Sequence, residues 1–143
     1  MSWKKSLAKF YKKIKLVIYK NMFSKIKDGE DALTSSEYLC LECIFLMDKP
    51  TITEFAEFLD ISAPNATYKI KQLIKKGFIS KEKSEKDKRE FLLVPTQKFF
   101  DLYQQKEDGT VVNDVKNNLD KKETKRFDKI LKILEGSSEK DGI

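Results

Sequence analysis

The chain has 143 residues, 36% of them charged and 40% hydrophobic, with a net charge of +6, two cysteines and no histidine. That length suits one compact domain with an extra helical element. The missing histidine removes Ser/His/Asp and Cys/His catalysis and every histidine-containing zinc site, and two cysteines cannot complete a Cys₄ site. No apolar run approaches the ~18–20 residues of a membrane span. Lysines interrupt the first apolar residues and no small-residue cleavage site follows them, so a secretory leader is not expected there. The cysteines then read as reduced thiols of a cytoplasmic protein.

The first element expected is a long helix over residues 3–27. Trp3, Leu7, Phe10, Ile14 and Val17 recur at spacings of four and three, which places them on one face. Its second half is apolar nearly all round, the pattern of a helix buried between elements or subunits. Ser2 is a candidate cap, and Asp28-Gly29 ends the helix. Thr34 or Ser35 caps a second helix with Tyr38, Leu41, Ile44 and Phe45 as its core stripe. Thr51-Ile52 reads as a very short strand, and Thr53 as the cap of a short helix to Leu59. After the turn Asp60-Ile61-Ser62, Ser62 caps a fourth helix to Lys76, with Pro64 tolerated in its first turn. Gly77 is a suitable residue beyond its end.

A hairpin follows, with strands at 78–83 and 89–94 around a charged turn. Pro95-Thr96 opens a helix that turns Phe99, Phe100, Leu102 and Tyr103 inward. Val111, Val112, Val115 and Leu119 continue the helical pattern after an interruption at 106–110. Asp120 with Glu123 forms a capping box for a last helix. Phe127, Ile130, Leu131 and Leu134 share its apolar face. The tail after Gly136 is expected to fray.

Charge is segregated along this layout. Residues 1–27 hold nine lysines and no acid; residues 28–61 hold nine acids and one lysine. Residues 62–89 hold nine basic residues and three acids, and the remainder is nearly balanced. Basic blocks on a folded domain point first to nucleic acid and second to an anionic membrane.

The order helix, short helix, turn, helix, hairpin is that of a winged helix-turn-helix. In the fourth helix Ala66, Ile70, Leu73 and Ile74 form the inner set. Asn65, Tyr68, Lys69, Lys71, Gln72 and Lys75 point outward, and no carboxylate occurs from Ser62 to Ile79. Such a face offers donors for phosphates and base edges in a DNA major groove. At the hairpin tip, Lys86, Asp87, Lys88 and Arg89 form a charged finger with an arginine suited to a narrow minor groove.

These residues resemble the MarR family of bacterial transcription regulators. The resemblance rests on Leu33-Thr34, on Thr53, Ala56 and Leu59, and on Ile61-Ser62-x-Pro64-x-x-Thr67-x-x-Ile70-x-x-Leu73-x-x-x-Gly77-x-Ile79. It continues with Asp87-x-Arg89 in the wing and Val94-Pro95-Thr96 after it, and so covers about residues 33–96. Pro95 and Phe99 depart from the family's usual leucine and glycine. The resemblance implies a homodimer whose terminal helices interleave, with two winged lobes on a pseudo-palindromic operator. It implies that Asp87 orients Arg89 toward the minor groove and that Thr67 is a polar recognition-helix position. Some members bind small effectors between dimer and DNA lobes.

The expected fold is mainly α with a small β-hairpin wing. An N-terminal dimerisation helix (1–32) leads to a winged helix-turn-helix lobe (33–96), C-terminal dimerisation helices (97–136) and a tail (137–143). The expected DNA-binding residues are Ser62, Asn65, Thr67, Tyr68, Lys69, Lys71, Gln72 and Lys75 in the helix, with Lys86, Asp87, Lys88 and Arg89 in the wing. The expected dimer interface is Leu7, Phe10, Ile14 and Val17 with Phe127, Ile130, Leu131 and Leu134. The function expected is sequence-specific regulation of transcription by a homodimeric repressor, with double-stranded DNA and self as partners. No catalytic residue, metal, cofactor or membrane partner is assigned, and any effector is unidentified. The alternative is a winged-helix module for protein assembly or RNA binding. Cys40-Leu41-Glu42-Cys43 lies mid-helix among apolar neighbours, so a structural role is expected over redox or metal sensing.

Overall fold

The computed structural model describes residues 2–26, 32–103 and 110–140. The chain divides into two compact units, Met1–Gln104 and Gln105–Ile143. In the first, helix α1 (Trp3–Lys25) precedes α2 (Ser35–Leu46), α3 (Ile52–Leu59), α4 (Ala63–Lys75), strands β1 (Ile79–Lys83) and β2 (Phe91–Pro95), and helix α5 (Gln97–Tyr103). The second unit holds α6 (Thr110–Asn118) and α7 (Lys121–Lys140).

The lobe's core is built from α2 to α5 and the hairpin. Leu41, Ile44, Phe55, Ala66, Leu73 and Leu93 are inaccessible or nearly so. Phe99 joins them from α5 and is bracketed by Phe45 at 5.2 Å and Tyr103 at 4.9 Å between ring centroids. Phe100, expected inward, is instead exposed. Adjacent helical residues point ~100° apart, so a core that takes Phe99 turns its neighbour toward solvent.

Two threonines start helices by the same device. Thr34 Oγ1 accepts from the Glu37 amide, and the Glu37 carboxylate accepts from the Thr34 amide. Thr51 and Glu54 repeat the exchange at α3. The cap of α3 is therefore Thr51 rather than Thr53, because only Thr51 has a glutamate three residues on to close the box. Thr51 also makes a single β-bridge to Leu92, which is all that forms of the short strand expected there. β1 and β2 pair antiparallel, with Ile79 opposite Pro95 and Lys83 opposite Phe91. Pro95 thus ends the strand rather than opening the next helix. Thr96 closes the corner, its amide donating to the Phe78 carbonyl and its hydroxyl to the Gly77 carbonyl.

Helix α1 stops at Lys25, and the expected stop at Asp28-Gly29 lies outside the described residues. Ser2 occupies the cap position, but its hydroxyl makes no capping bond. The helix buries none of its residues in the single chain. Its last turn meets the lobe: Met22 and Ile26 pack on the core, and the Lys25 ammonium donates to the Leu102 carbonyl.

In the second unit, Asp120 and Glu123 form the expected capping box at the start of α7. The helix runs through Gly136 to Lys140 instead of stopping there. One interior glycine costs only ~1 kcal/mol relative to alanine, too little to end a helix by itself. No helix among the described residues is long and apolar enough to cross a membrane.

Candidate nucleic-acid interface

The α3–α4 pair is fixed by a tight left-handed turn. Asp60 closes α3 at φ 54°, a conformation aspartate tolerates better than most residues. Ser62 then caps α4, its hydroxyl accepting from the Asn65 amide at 3.3 Å. The Ser62 side chain is therefore engaged in starting the helix. Gly77, at φ 84°, ends it and turns the chain into the hairpin.

Burial of Ala66, Ile70 and Leu73 fixes the rotation of α4. Asn65, Tyr68, Lys71 and Lys75 are exposed, and Tyr68 keeps 65% of its surface. Thr67, Lys69 and Gln72 are half-buried. Lys69 leans toward α2, its ammonium 3.4 Å from Ser36 Oγ. Tyr68, Lys69 and Gln72 border a cavity of about 340 Å³ whose far wall is Thr34, Ser36, Glu37 and Cys40. The outward set expected from periodicity thus splits into a solvent-facing row and a row against α2.

The C-terminal end of α4 is locked by a residue the sequence reading left out. Lys76 Nζ donates to Glu37 Oε1 at 2.7 Å and to the Ala32 carbonyl at 2.9 Å, tying α4 to the start of α2. Burial works to raise the Glu37 pKa, but hydrogen bonds from Lys76 and Thr34 outweigh it and hold the carboxyl below its ordinary value. A pairing across 39 positions leaves no periodic trace in the sequence. The one local clue was an acid at the third position of α2, which its capping role already explained.

The wing tip is ordered by its own acid. Asp87 Oδ1 accepts from the Arg89 amide at 3.0 Å and from Arg89 Nε at 3.3 Å. Ser84 is buried at the base of the turn, with its amide on the Glu90 carbonyl and its hydroxyl accepting from the Asp87 amide. The Arg89 side chain stays 91% exposed while Asp87 holds its root. Lys86 and Lys88 are exposed on either side of Asp87.

Cys40 is buried and Cys43 half-buried, and both are free thiols. Burial pushes both upward in pKa, with the other thiol and Glu42 adding to the effect at Cys43. At Cys40 the Lys69 ammonium and a Ser36 hydrogen bond work the other way without outweighing burial, so neither thiol is poised as a reactive thiolate.

A braced two-helix unit, an exposed donor row on its second helix and a hairpin carrying a steered arginine together define a winged helix-turn-helix protein. Residues 33–91 match the MarR family. Comparison with curated proteins gives no match. Among solved structures the chain is similar to Streptococcus pneumoniae FabT in complex with DNA, at 17% identity and a TM-score of 0.59, over 96% of this chain and 98% of that one. It is similar to a MarR-like regulator from Thermotoga maritima, at 20% identity and a TM-score of 0.56, over 96% and 98%. It is also similar to a mutant MarR from E. coli complexed with operator DNA, at 18% identity and a TM-score of 0.50, over 94% and 99%. At these identities the likeness establishes the fold.

Proposed function

We propose that the protein is a transcription regulator that binds double-stranded DNA sequence-specifically, as a homodimer on a pseudo-palindromic operator. The observation that carries this reading is the exposed row Asn65, Tyr68, Lys71 and Lys75 on a helix whose rotation the core fixes. A helix placed in the major groove by phosphate contacts reads bases through such side chains. Arg89, rooted by Asp87, supplies the minor-groove contact, which senses groove width and A·T content. The two DNA-bound structures of the same fold support the assignment. Lys69 and Gln72 serve the phosphate backbone and the seating of α4 against α2. Thr67 and Ser62 lie at the opening of the helix, and Lys86 and Lys88 add charge at the wing. Repression needs only occlusion of a promoter by the bound dimer, so it is the regulatory action that uses fewest parts.

The dimer reading rests on apolar surface left open by a single chain. On α1, Leu7 is 57% and Phe10 38% exposed, with Ile14 and Val17 half-exposed beside them; on α7, Ile130, Leu131 and Leu134 are exposed and Phe127 half-exposed. Covering both faces in a second copy gives an interface of the obligate class, on the order of 2,000 Å² or more. The test is a set of operator affinities for Tyr68→Ala, Lys71→Ala and Arg89→Ala. The helix variants should change base preference at defined positions, each real base contact being worth ~1–3 kcal/mol. Arg89→Ala should weaken binding most on A·T-rich flanks. Unchanged specific-to-shuffled ratios in all three refute the reading.

A further inference from the structure

Helix α1 has three distinct sides, and only two are accounted for. Its last turn faces the lobe through Met22 and Ile26. A second side carries Trp3, Leu7, Phe10, Ile14 and Val17, the stripe given above to the partner copy. Lys5, Lys9, Lys12, Leu16, Tyr19 and Phe23 repeat the same four-and-three spacing, displaced by two residues. At about 100° per residue that displacement puts them on the opposite side of the helix. On this third side Leu16 is 61%, Tyr19 49% and Phe23 77% exposed. Lys9, Lys12, Lys13, Leu16, Val17 and Lys20 line a shallow depression of about 350 Å³ that runs from this side to the edge of the Trp3 stripe. No acid occurs anywhere in residues 1–27.

We propose that this third side of α1 docks on the surface of an anionic phospholipid bilayer. The occupant is chosen by the chemistry of the side. Its lysines, with no acid near them in the sequence, suit a sheet of negative headgroups, where each adds roughly a fivefold gain in partition. Leu16 and Phe23 have no polar atom to offer a phosphate chain, but they gain from the acyl boundary, and Tyr19 suits the headgroup level. A nucleic-acid strand uses the lysines and leaves Leu16 wet. The expectation of no membrane partner gave the whole apolar second half of the helix to a subunit interface. The structure shows a second set of exposed apolar residues, embedded among the lysines. The proposal rests on the dimer reading at one point, that the Trp3 side is covered by the second copy.

The test uses the full chain and co-sedimentation with phosphatidylcholine vesicles, with and without phosphatidylglycerol. Binding should require phosphatidylglycerol and fall with salt. Lys9→Glu, Lys12→Glu and Lys20→Glu together should reduce partition by on the order of a hundredfold or more. Leu16→Ser with Phe23→Ser should reduce it at unchanged charge. Both variants should keep the dimer mass and operator affinity, which shows that they fold. Trp3, the chain's single tryptophan, should keep its emission wavelength, since it faces the partner copy. Failure to bind phosphatidylglycerol vesicles, or equal binding by the charge-reversed variant, overturns the proposal. So does non-operator duplex binding that is lost on charge reversal but kept in the serine variant, with no vesicle binding. A blue shift of Trp3 with loss of the dimer also overturns it, because the wrong side is then in lipid. A lipid-free monomer that still binds vesicles through Lys9, Lys12 and Lys20 refutes the dimer reading and supports the docking side.

Discussion

Replacing Glu37 by glutamine isolates one charge at the junction of α2 and α4. Glutamine keeps the size and the oxygen that completes the capping box with Thr34, while the bond from Lys76 at 2.7 Å loses its ionic character. The pair is neither open nor deeply enclosed: the Lys76 and Glu37 side chains are 25% and 17% exposed. A fully exposed pair is worth ~0–1 kcal/mol, and hydrogen bonds to charged groups ~1.5–3 kcal/mol. The junction falls between, so Glu37→Gln should cost about 1–2 kcal/mol at pH 7, or roughly 5–10 °C in Tm for a lobe of this size. Because the folded-state pKa of Glu37 is lowered, its contribution is present above the unfolded carboxylate value of ~4.3 and is lost as pH falls through the folded value. Urea unfolding of wild type and variant at pH 7, 5 and 3 is the assay. The gap should be full at pH 7, nearly full at pH 5 and mostly closed at pH 3. A gap that does not change with pH, or no gap at pH 7, refutes the argument.

Leu7→Asp with Ile14→Asp should convert a species of twice 16.7 kDa to a monomer in sedimentation and weaken operator binding more than tenfold; a persistent dimer places the interface elsewhere. Gly77→Ala has room for its Cβ, whose nearest neighbour is Lys98 Cδ at 3.6 Å, so its cost is the positive φ alone, about 1–2 kcal/mol in thermal or urea unfolding. Cys40→Ser with Cys43→Ser should lower stability by about 1–3 kcal/mol through a buried hydroxyl, and operator affinity of wild type and variant alike should ignore peroxide. Release of wild type alone by peroxide would establish a redox role.

Local signals carried most of the lobe into the sequence. The cap at Thr34, offered with Ser35 as its alternative, the turn before Ser62, the core spacing of Ala66, Ile70 and Leu73, and Gly77 each act within a few residues, and each stands where its pattern placed it. Errors arose where two local readings competed. Thr51 reads as strand and Thr53 as the cap, and the glutamate at 54 makes Thr51 the cap instead. Phe99 and Phe100 were both apolar, and only the packing of Phe45 and Tyr103 chose one for the interior. Long-range chemistry was invisible: Lys76 reached Glu37, and Lys69 leaned toward Ser36, through the way α2 crosses α4. The lysine side of α1 was legible as charge. Its separation from the Trp3 stripe follows from a two-residue displacement in the same spacing, and the structure adds the exposure of Leu16, Tyr19 and Phe23.

Sequence-specific DNA binding is the central claim, and selection of bound fragments from random duplex DNA by the full chain tests it most directly. Half-sites should emerge as an inverted repeat with centres about one helical turn apart or a multiple of it. Affinity for the selected sequence should fall steeply with salt, while its ratio to shuffled DNA should remain large, on the order of a thousandfold or more. A selected pool with no shared sequence, bound with the same affinity as shuffled DNA at every salt concentration, would contradict the account.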